Sequence, residues 1–129
     1  MNARKQVVST PQAFVSKSPL TQAIKAGGLL YVSGQLPYDA TARDFVRGDI
    51  QAQTDQVLKN LKAIVEAGGT DLSAVVKVTV YLTNMAWFES MNEVYRRYFP
   101  TEPPARTCIG AKELPRGVDV EMDLIALAN

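Results

Sequence analysis

The two side chains of this sequence best placed to do chemistry are Arg106 and Glu121. Arg106 stands at the mouth of one predicted strand, and Glu121 lies inside the next. In that second strand the two-residue period puts Glu121 on one face, between Asp119 and Asp123, and the apolar residues on the other. The apolar set is Val118, Val120, Met122, Leu124 and Ala126. Spacing alone allows the guanidinium and the carboxylate to face a common surface, where one would bind an anion and the other would transfer protons.

The composition leaves few kinds of catalytic chemistry. The 129 residues include no histidine and one cysteine, Cys108. Hydrolase triads that need histidine, an internal disulfide and a Cys-x-x-Cys metal or redox site are therefore excluded. Catalysis must use carboxylates, Arg, Lys, Tyr, hydroxyls, backbone groups or water.

Charge and hydropathy give no sign of nucleic-acid or membrane partners. Fourteen bases balance thirteen acids, for a formal net charge of +1, so no global field attracts an anionic polymer or surface. No apolar run approaches the ~18 residues of a membrane span, and we expect a cytoplasmic protein. Residues 1–38 contain bases and no acid, as in organelle transit peptides, but Pro11 and Pro19 interrupt any amphipathic helix there.

The elements that position Arg106 and Glu121 can be predicted in order along a single domain spanning 1–129. A helix should run from residue 50, capped by Asp49, to the glycines at 68 and 69, and a second from about 86 to 99, capped near Asn84. Residues 39–48 should form a surface loop. The predicted strands are 7–8, 22–26, 29–33, 75–82, 107–111 and 118–127, with turns at 27–28 and 114–117.

This order of elements predicts an α+β fold. Two helices can cover only one face of a mixed sheet of about six strands. In strand 75–82 the core face should carry Val76, Val78, Val80 and Leu82. The other face carries Thr79, Tyr81, Ile125 and Leu127, and we expect it to meet another subunit.

Several stretches together resemble the RidA/YjgF family of reactive-intermediate deaminases. They cover nearly the whole chain: LYVSGQLP at 30–37, QT at 53–54, NLKAI at 60–64, MNEVY at 91–95 with YF at 98–99, PARTC at 104–108, LP at 114–115 and VEM at 120–122. The resemblance implies a chorismate-mutase-like α+β fold. It also implies a homotrimer with a central barrel and three clefts between neighbouring subunits.

The activity implied by the resemblance is cofactor-independent hydrolysis of enamines and imines such as 2-iminopropanoate or 2-iminobutanoate, releasing ammonia and a 2-keto acid. Arg106 would hold the substrate carboxylate, and Glu121 would act on the reacting nitrogen or the attacking water. Ser33, Gly34, Gln35, Phe88, Asn92 and the main chain at Cys108 match positions that line or support the cleft. No metal or organic cofactor is implied, because an imine is already electrophilic. A raised pKa is expected for Glu121, from burial and its acidic neighbours, unless Arg106 offsets it.

The chain departs from the family pattern at Leu20. Imine deaminases of the family usually carry Gly-Pro-Tyr where this chain has Ser18-Pro19-Leu20, so no phenol is available there. This leaves open a 2-aminomuconate-type deaminase of a catabolic pathway. A non-catalytic trimeric module that binds small carboxylates, a structural Arg106–Glu121 ion pair and a translation-related activity on nucleic acid are further alternatives.

Overall fold

Six strands hydrogen-bond into a mixed sheet, and two helices pack on one of its faces. The computed structural model describes residues 4–129. The strand order is β1-β2-β3-β8-β6-β7, and only the β6–β7 pair is parallel. A separate hairpin consists of β4 and β5. The elements are β1 (Gln6–Val8), β2 (Ala23–Ala26), β3 (Leu29–Gln35), β4 (Tyr38–Asp39), β5 (Asp44–Phe45), α1 (Ile50–Ala67), β6 (Val75–Leu82), α2 (Phe88–Tyr98), β7 (Ala105–Gly110) and β8 (Val120–Leu127).

The first helix, α1, begins and ends where the sequence predicts. The Asp49 carboxylate caps it by accepting a hydrogen bond from the backbone N–H of Gln51 at 3.1 Å. At the other end Gly69 has a φ of +86°, which glycine adopts without strain. A Cβ on Gly68 would lie 2.8 Å from Leu30 Cδ2, so the end of α1 packs directly on β3.

The core lies between the helices and the sheet. The predicted core face of β8 is confirmed, because Val118, Val120, Met122, Leu124 and Ala126 are all buried. The prediction for β6 is wrong at Val76, which is 40% exposed. The register shifts between Val75 and Lys77 where β6 pairs with β8, and this irregularity turns Val76 out of the core.

Several predicted boundaries change; for example, β3 extends to Gln35 and β8 begins at Val120. A 3₁₀ turn, Met85–Trp87, precedes α2, and Asn84 caps this turn by accepting a hydrogen bond from the Ala86 N–H. Strand β7 begins at Ala105, so Arg106 lies within the strand and not at its mouth. Residues 39–48, predicted as a loop, contain part of the β4–β5 hairpin.

Aromatic packing explains that hairpin. The ring of Phe14 lies 4.8 Å from that of Tyr38 and 5.3 Å from that of Phe45, centroid to centroid. Arg116 places its guanidinium 5.4 Å from the Phe14 and Phe45 rings. This cluster ties the amino-terminal segment to the hairpin and to the turn before β8.

Buried polar side chains of α1 fix the backbone just before β8 and just after β3. Gln53 donates to an Asp119 carboxylate oxygen at 2.9 Å and accepts from the Asp119 N–H at 2.9 Å, two residues before Glu121. Asn60 donates to the carbonyls of Leu36 and Tyr38. Within residues 4–129 no helix has the length and apolar character needed to cross a membrane.

Candidate active site

Arg106 is held against α2 on the helix-covered face of the sheet. In the parallel β6–β7 pair it lies opposite Val78, a fully buried core residue. Its Nη1 donates to Asn92 Oδ1 at 2.7 Å, while Asn92 Nδ2 donates to Glu89 at 3.1 Å. Both ends of the Asn92 amide are therefore used, which orients the guanidinium.

The guanidinium also lies over two aromatic rings. Its central carbon is 4.7 Å from the ring centroid of Tyr95 and 5.4 Å from that of Phe88. Such cation–π contacts stabilise a charged group without using its remaining N–H donors. Arg106 lines a cavity of about 280 Å³ with Asn92, Tyr95, Arg96, Phe99, Pro103 and Pro104.

Arg106 forms no ion pair within the described chain. The two ion pairs among residues 4–129 are Lys59–Asp55 and Lys62–Glu66. A structural Arg106–Glu121 pair is therefore not formed inside one subunit. A guanidinium that is oriented at a cavity and has free N–H groups can bind a carboxylate by donating two parallel hydrogen bonds to it.

Tyr95 is a site residue that the sequence did not reveal. The apolar spacing of α2 assigned it to the core, and it is only 6% exposed, yet its ring also supports Arg106. Its hydroxyl has no hydrogen-bond partner among residues 4–129. Burial raises the pKa of Tyr95 to about 12 against the opposing influence of Arg106, so the phenol is neutral. The sequence did contain one indication of this role, because Tyr95 lies three residues after Asn92 and therefore on the same helix face.

Glu121 lies in a second, smaller cavity of about 110 Å³. It pairs with Tyr81 of β6 on the face that the helices leave open. The cavity is lined by Phe14, Ser16, Leu20, Gln22, Gly34, Gln35, Leu36, Pro115 and Glu121. Burial and, second, the Asp123 carboxylate raise the pKa of Glu121, as the sequence predicts.

Of the two acidic neighbours of Glu121, only Asp123 contributes to this rise. Asp119 instead accepts hydrogen bonds from Gln53 and from the Thr83 hydroxyl. Asp123 accepts a hydrogen bond from the Tyr81 hydroxyl at 2.8 Å, which is the main cause of a Tyr81 pKa of about 12.

Gly34 gives the Glu121 carboxyl group its space. A Cβ on Gly34 would lie 2.0 Å from Glu121 Oε2 and 3.0 Å from Glu121 Cδ, closer than any real contact. The neighbours of Gly34 hold the backbone there: the Ser33 hydroxyl donates to the Thr21 carbonyl at 2.5 Å, and the buried Gln35 side chain donates to the Ser33 carbonyl at 3.0 Å. Ser33 thus shapes the cavity through Gly34, whereas Gln35 both holds this backbone and lines the cavity itself.

The other predicted site residues fall into the two cavities or beside them. Leu20 lines the Glu121 cavity and is 52% exposed. Phe88 and Asn92 contact Arg106. Cys108 lies opposite Val80, on the same face as Arg106, and burial raises the pKa of its thiol, which makes it a poor nucleophile. Within residues 4–129 no three metal-ligating side chains cluster.

One chain does not bring Arg106 and Glu121 together. Residues paired across a sheet share a face, so Arg106 lies on the Val78 face of β6 and Glu121 on the Tyr81 face. Val78 is buried beneath the helices, whereas Tyr81 faces outward. The expectation of a common surface is therefore wrong within a single subunit.

Comparison with known proteins assigns the chain to a family. A family model described as Endoribonuclease L-PSP matches residues 10–128. The RutC family protein PH0854 of Pyrococcus horikoshii is 48% identical over 95% of this chain and 97% of its own. Reactive Intermediate Deaminase A, chloroplastic, of Arabidopsis thaliana is 41% identical over 97% of this chain and 67% of its own. This chain belongs to the RidA/YjgF family.

A solved structure supports the same assignment for the fold. E. coli TdcF with bound serine superposes on the RidA/YjgF fold of this chain with a TM-score of 0.91. The two are 31% identical over 96% of this chain and 99% of that one. The mixed sheet of six strands with two helices on one face is thus the fold of the family.

Proposed function

We propose that this protein is a cofactor-independent hydrolytic deaminase of enamine and imine intermediates such as 2-iminopropanoate or 2-iminobutanoate. The observation that carries the proposal is the guanidinium of Arg106, which is oriented by Asn92 and free of an ion pair within residues 4–129. Relatives agree with it, since one is named a reactive intermediate deaminase and another is described with bound serine, a small carboxylate.

Two copies of the chain would complete the site. Because Arg106 and Glu121 lie on opposite sheet faces, a substrate that touches both needs Arg106 from one subunit and Glu121 from its neighbour. The open face supports such an assembly, since Tyr31 and Ile109 are each 45% exposed and Leu127 is 55% exposed. A homotrimer with a site at each subunit boundary fits the family.

In the proposed reaction Arg106 fixes the carboxylate through two charge-assisted hydrogen bonds, which places the adjacent C=N carbon. Water adds to that carbon, its oxygen forming the new C–O bond while the nitrogen takes a proton, and a carbinolamine results. The amine is then protonated and leaves as ammonia while the hydroxyl loses its proton, so the products are one 2-keto acid and one ammonia. No electrons are exchanged with a cofactor.

Glu121 is the proposed proton carrier in both steps. Its raised pKa favours the protonated form, which can donate to the nitrogen, and the resulting carboxylate can orient and deprotonate water. Such general acid–base catalysis contributes roughly 10²- to 10⁴-fold. Its fixed place against Gly34 supplies the positioning.

The test is ammonia release from freshly generated 2-iminopropanoate by the purified protein. Arg106→Ala should lower kcat/KM about 100-fold, because it removes two hydrogen bonds to a charged group. Arg97→Ala, an exposed arginine outside the cavity, is the matched control and should behave as wild type. No acceleration over buffer, or full activity of Arg106→Ala, would refute the proposal.

Two further assays on the same variants separate the alternatives. A carboxylate-binding module would bind 2-ketobutanoate in calorimetry, lose that binding in Arg106→Ala, and release no ammonia. Because the matching family model is described as Endoribonuclease L-PSP, cleavage of RNA should be assayed as well. Cleavage that persists in Glu121→Ala would come from outside this site.

A further inference from the structure

An apolar groove beside the amino-terminal strand is not used by the mechanism above. It has a volume of about 440 Å³ and is lined by residues between Val7 and Gln22, here called the 7–22 groove. Two of its lining side chains outside the sheet are exposed and apolar, Val15 at 67% and Leu20 at 52%. Val7, 62% exposed, borders the groove from the open sheet face that it shares with Tyr31. Exposed apolar residues that cluster in a concave site point to a ligand.

The 7–22 groove adjoins the Glu121 cavity. Ser16, Leu20 and Gln22 line both. Leu20 therefore lies at the junction, with the Glu121 carboxyl group on one side and Val7 and Val15 on the other. A substituent that extended from the Glu121 cavity past Leu20 would enter the groove.

Buried hydrogen bonds hold the groove in shape. Gln22 is 5% exposed, accepts from the Thr10 N–H at 2.7 Å and donates to the carbonyls of Thr10 and Phe14 at 3.0 Å each. Phe14 is in turn packed against Tyr38 and Phe45. The segment from Thr10 to Gln22 is thus anchored at both ends, so that little ordering is needed on binding.

The chemistry of the lining selects the ligand. None of the described residues that line the groove is charged. The second carboxylate of a dienamine dicarboxylate would therefore have no cationic partner there, and burying it unpaired is costly. An apolar chain would instead be buried against Val7, Val15 and Leu20 with a gain for every methylene.

We propose that the 7–22 groove binds the apolar side chain of the substrate, so that the preferred substrates are 2-imino acids with long unbranched side chains. This inference rests on the proposed deaminase activity. Leu20 sets the preference, because it continues the apolar surface from the reaction centre into the groove. At about 0.8 kcal/mol for each buried methylene, kcat/KM should rise about fourfold per added methylene.

The experiment compares 2-iminopropanoate with 2-iminohexanoate, each generated in situ from its amino acid. The longer substrate should have a kcat/KM about 60-fold higher, which is about fourfold for each of three methylenes. In Val15→Ser this ratio should fall about tenfold. In Val76→Ser, an exposed valine outside the groove, it should equal the wild-type ratio, and gel filtration should show that all variants have the wild-type size.

Failure of this inference is distinguishable from failure of the proposed function. If neither imine is hydrolysed faster than in buffer, the deaminase proposal and the substrate preference that rests on it both fall. If 2-iminopropanoate is hydrolysed but the longer substrate is not preferred, only the groove assignment is overturned. The same follows if Val15→Ser leaves the ratio unchanged. Calorimetry with 2-ketopropanoate and 2-ketohexanoate gives a readout independent of turnover, and equal affinities would also overturn the assignment.

Discussion

Mixed oligomers of two inactive variants should recover activity, because the proposed site takes one group from each of two subunits. Arg106→Ala keeps Glu121, and Glu121→Gln keeps Arg106. Within one chain Arg106 on β7 and Glu121 on β8 lie on either side of β6, so they are two strands apart. Arg106 pairs with Val78 of β6 and Glu121 with Tyr81, so the two are also offset by three residues along the strands. With strands about 4.8 Å apart and a rise of about 3.3 Å per residue, the Cα atoms are about 14 Å apart, on opposite faces. A small imino acid cannot contact both groups of the same chain.

The size of the recovery follows from the assembly. Each variant alone should be about 100-fold less active than wild type. When equal amounts are unfolded and refolded together into cyclic oligomers, about one boundary in four pairs an intact Arg106 with an intact Glu121. The mixture should therefore reach about a quarter of the wild-type specific activity, measured as ammonia release from 2-iminopropanoate.

A second mixture, of wild type with the double variant Arg106→Ala/Glu121→Gln, is the matched control. If the site spans two chains, about a quarter of the boundaries are intact in this mixture too; if both groups act from one chain, about half of the sites are intact. A single-variant mixture no more active than its components, together with a half-active control mixture, would refute the two-subunit site.

Three other predictions concern single residues of the site. Gly34→Ala should lower kcat about 100-fold, because the new Cβ displaces the Glu121 carboxyl group. The melting temperature should stay nearly unchanged, since the displaced atoms are at the end of a flexible side chain. A wild-type kcat in this variant would contradict the prediction. Tyr95→Phe should raise the free energy of unfolding by about 1 kcal/mol in urea denaturation, because it removes a buried hydroxyl that has no hydrogen-bond partner among residues 4–129. Tyr95→Leu should raise KM, because it removes the aromatic ring beneath Arg106. The kcat/KM profile should fall as pH rises through the raised pKa of Glu121, because the protonated form donates to nitrogen; a flat profile there would argue against that role.

The orientation of Glu121 could be predicted from the sequence because the first part of β8 alternates between apolar and acidic residues. Val120, Met122 and Leu124 are on the buried face, and the period of two then assigns Glu121 to the other face, which it shares with Ile125 and Leu127. Asp49 and Gly69 likewise marked the ends of α1, since capping is a local interaction. Local rules were sufficient for these features.

The orientation of Arg106 could not be predicted in this way. Strand β7 lies at the sheet edge and its sequence ARTCIG has no clear alternation between apolar and polar residues. Only the register with β6, which pairs Arg106 with Val78, assigns it to the helix-covered face. The roles of Tyr95 and Gly34 depend on contacts between distant parts of the chain for the same reason, as Tyr95 meets Arg106 and Gly34 meets Glu121 only in the folded protein.

The proposed division of the site between two subunits would have a consequence for proton transfer. In one chain, burial and Asp123 raise the pKa of Glu121. In the proposed oligomer the positive charge of Arg106 from the partner subunit would oppose that rise and favour the carboxylate. A substrate carboxylate bound to that guanidinium neutralises it, so the pKa of Glu121 rises again. Substrate binding and protonation of Glu121 are then coupled, and the proton is present when the imine nitrogen is there to receive it.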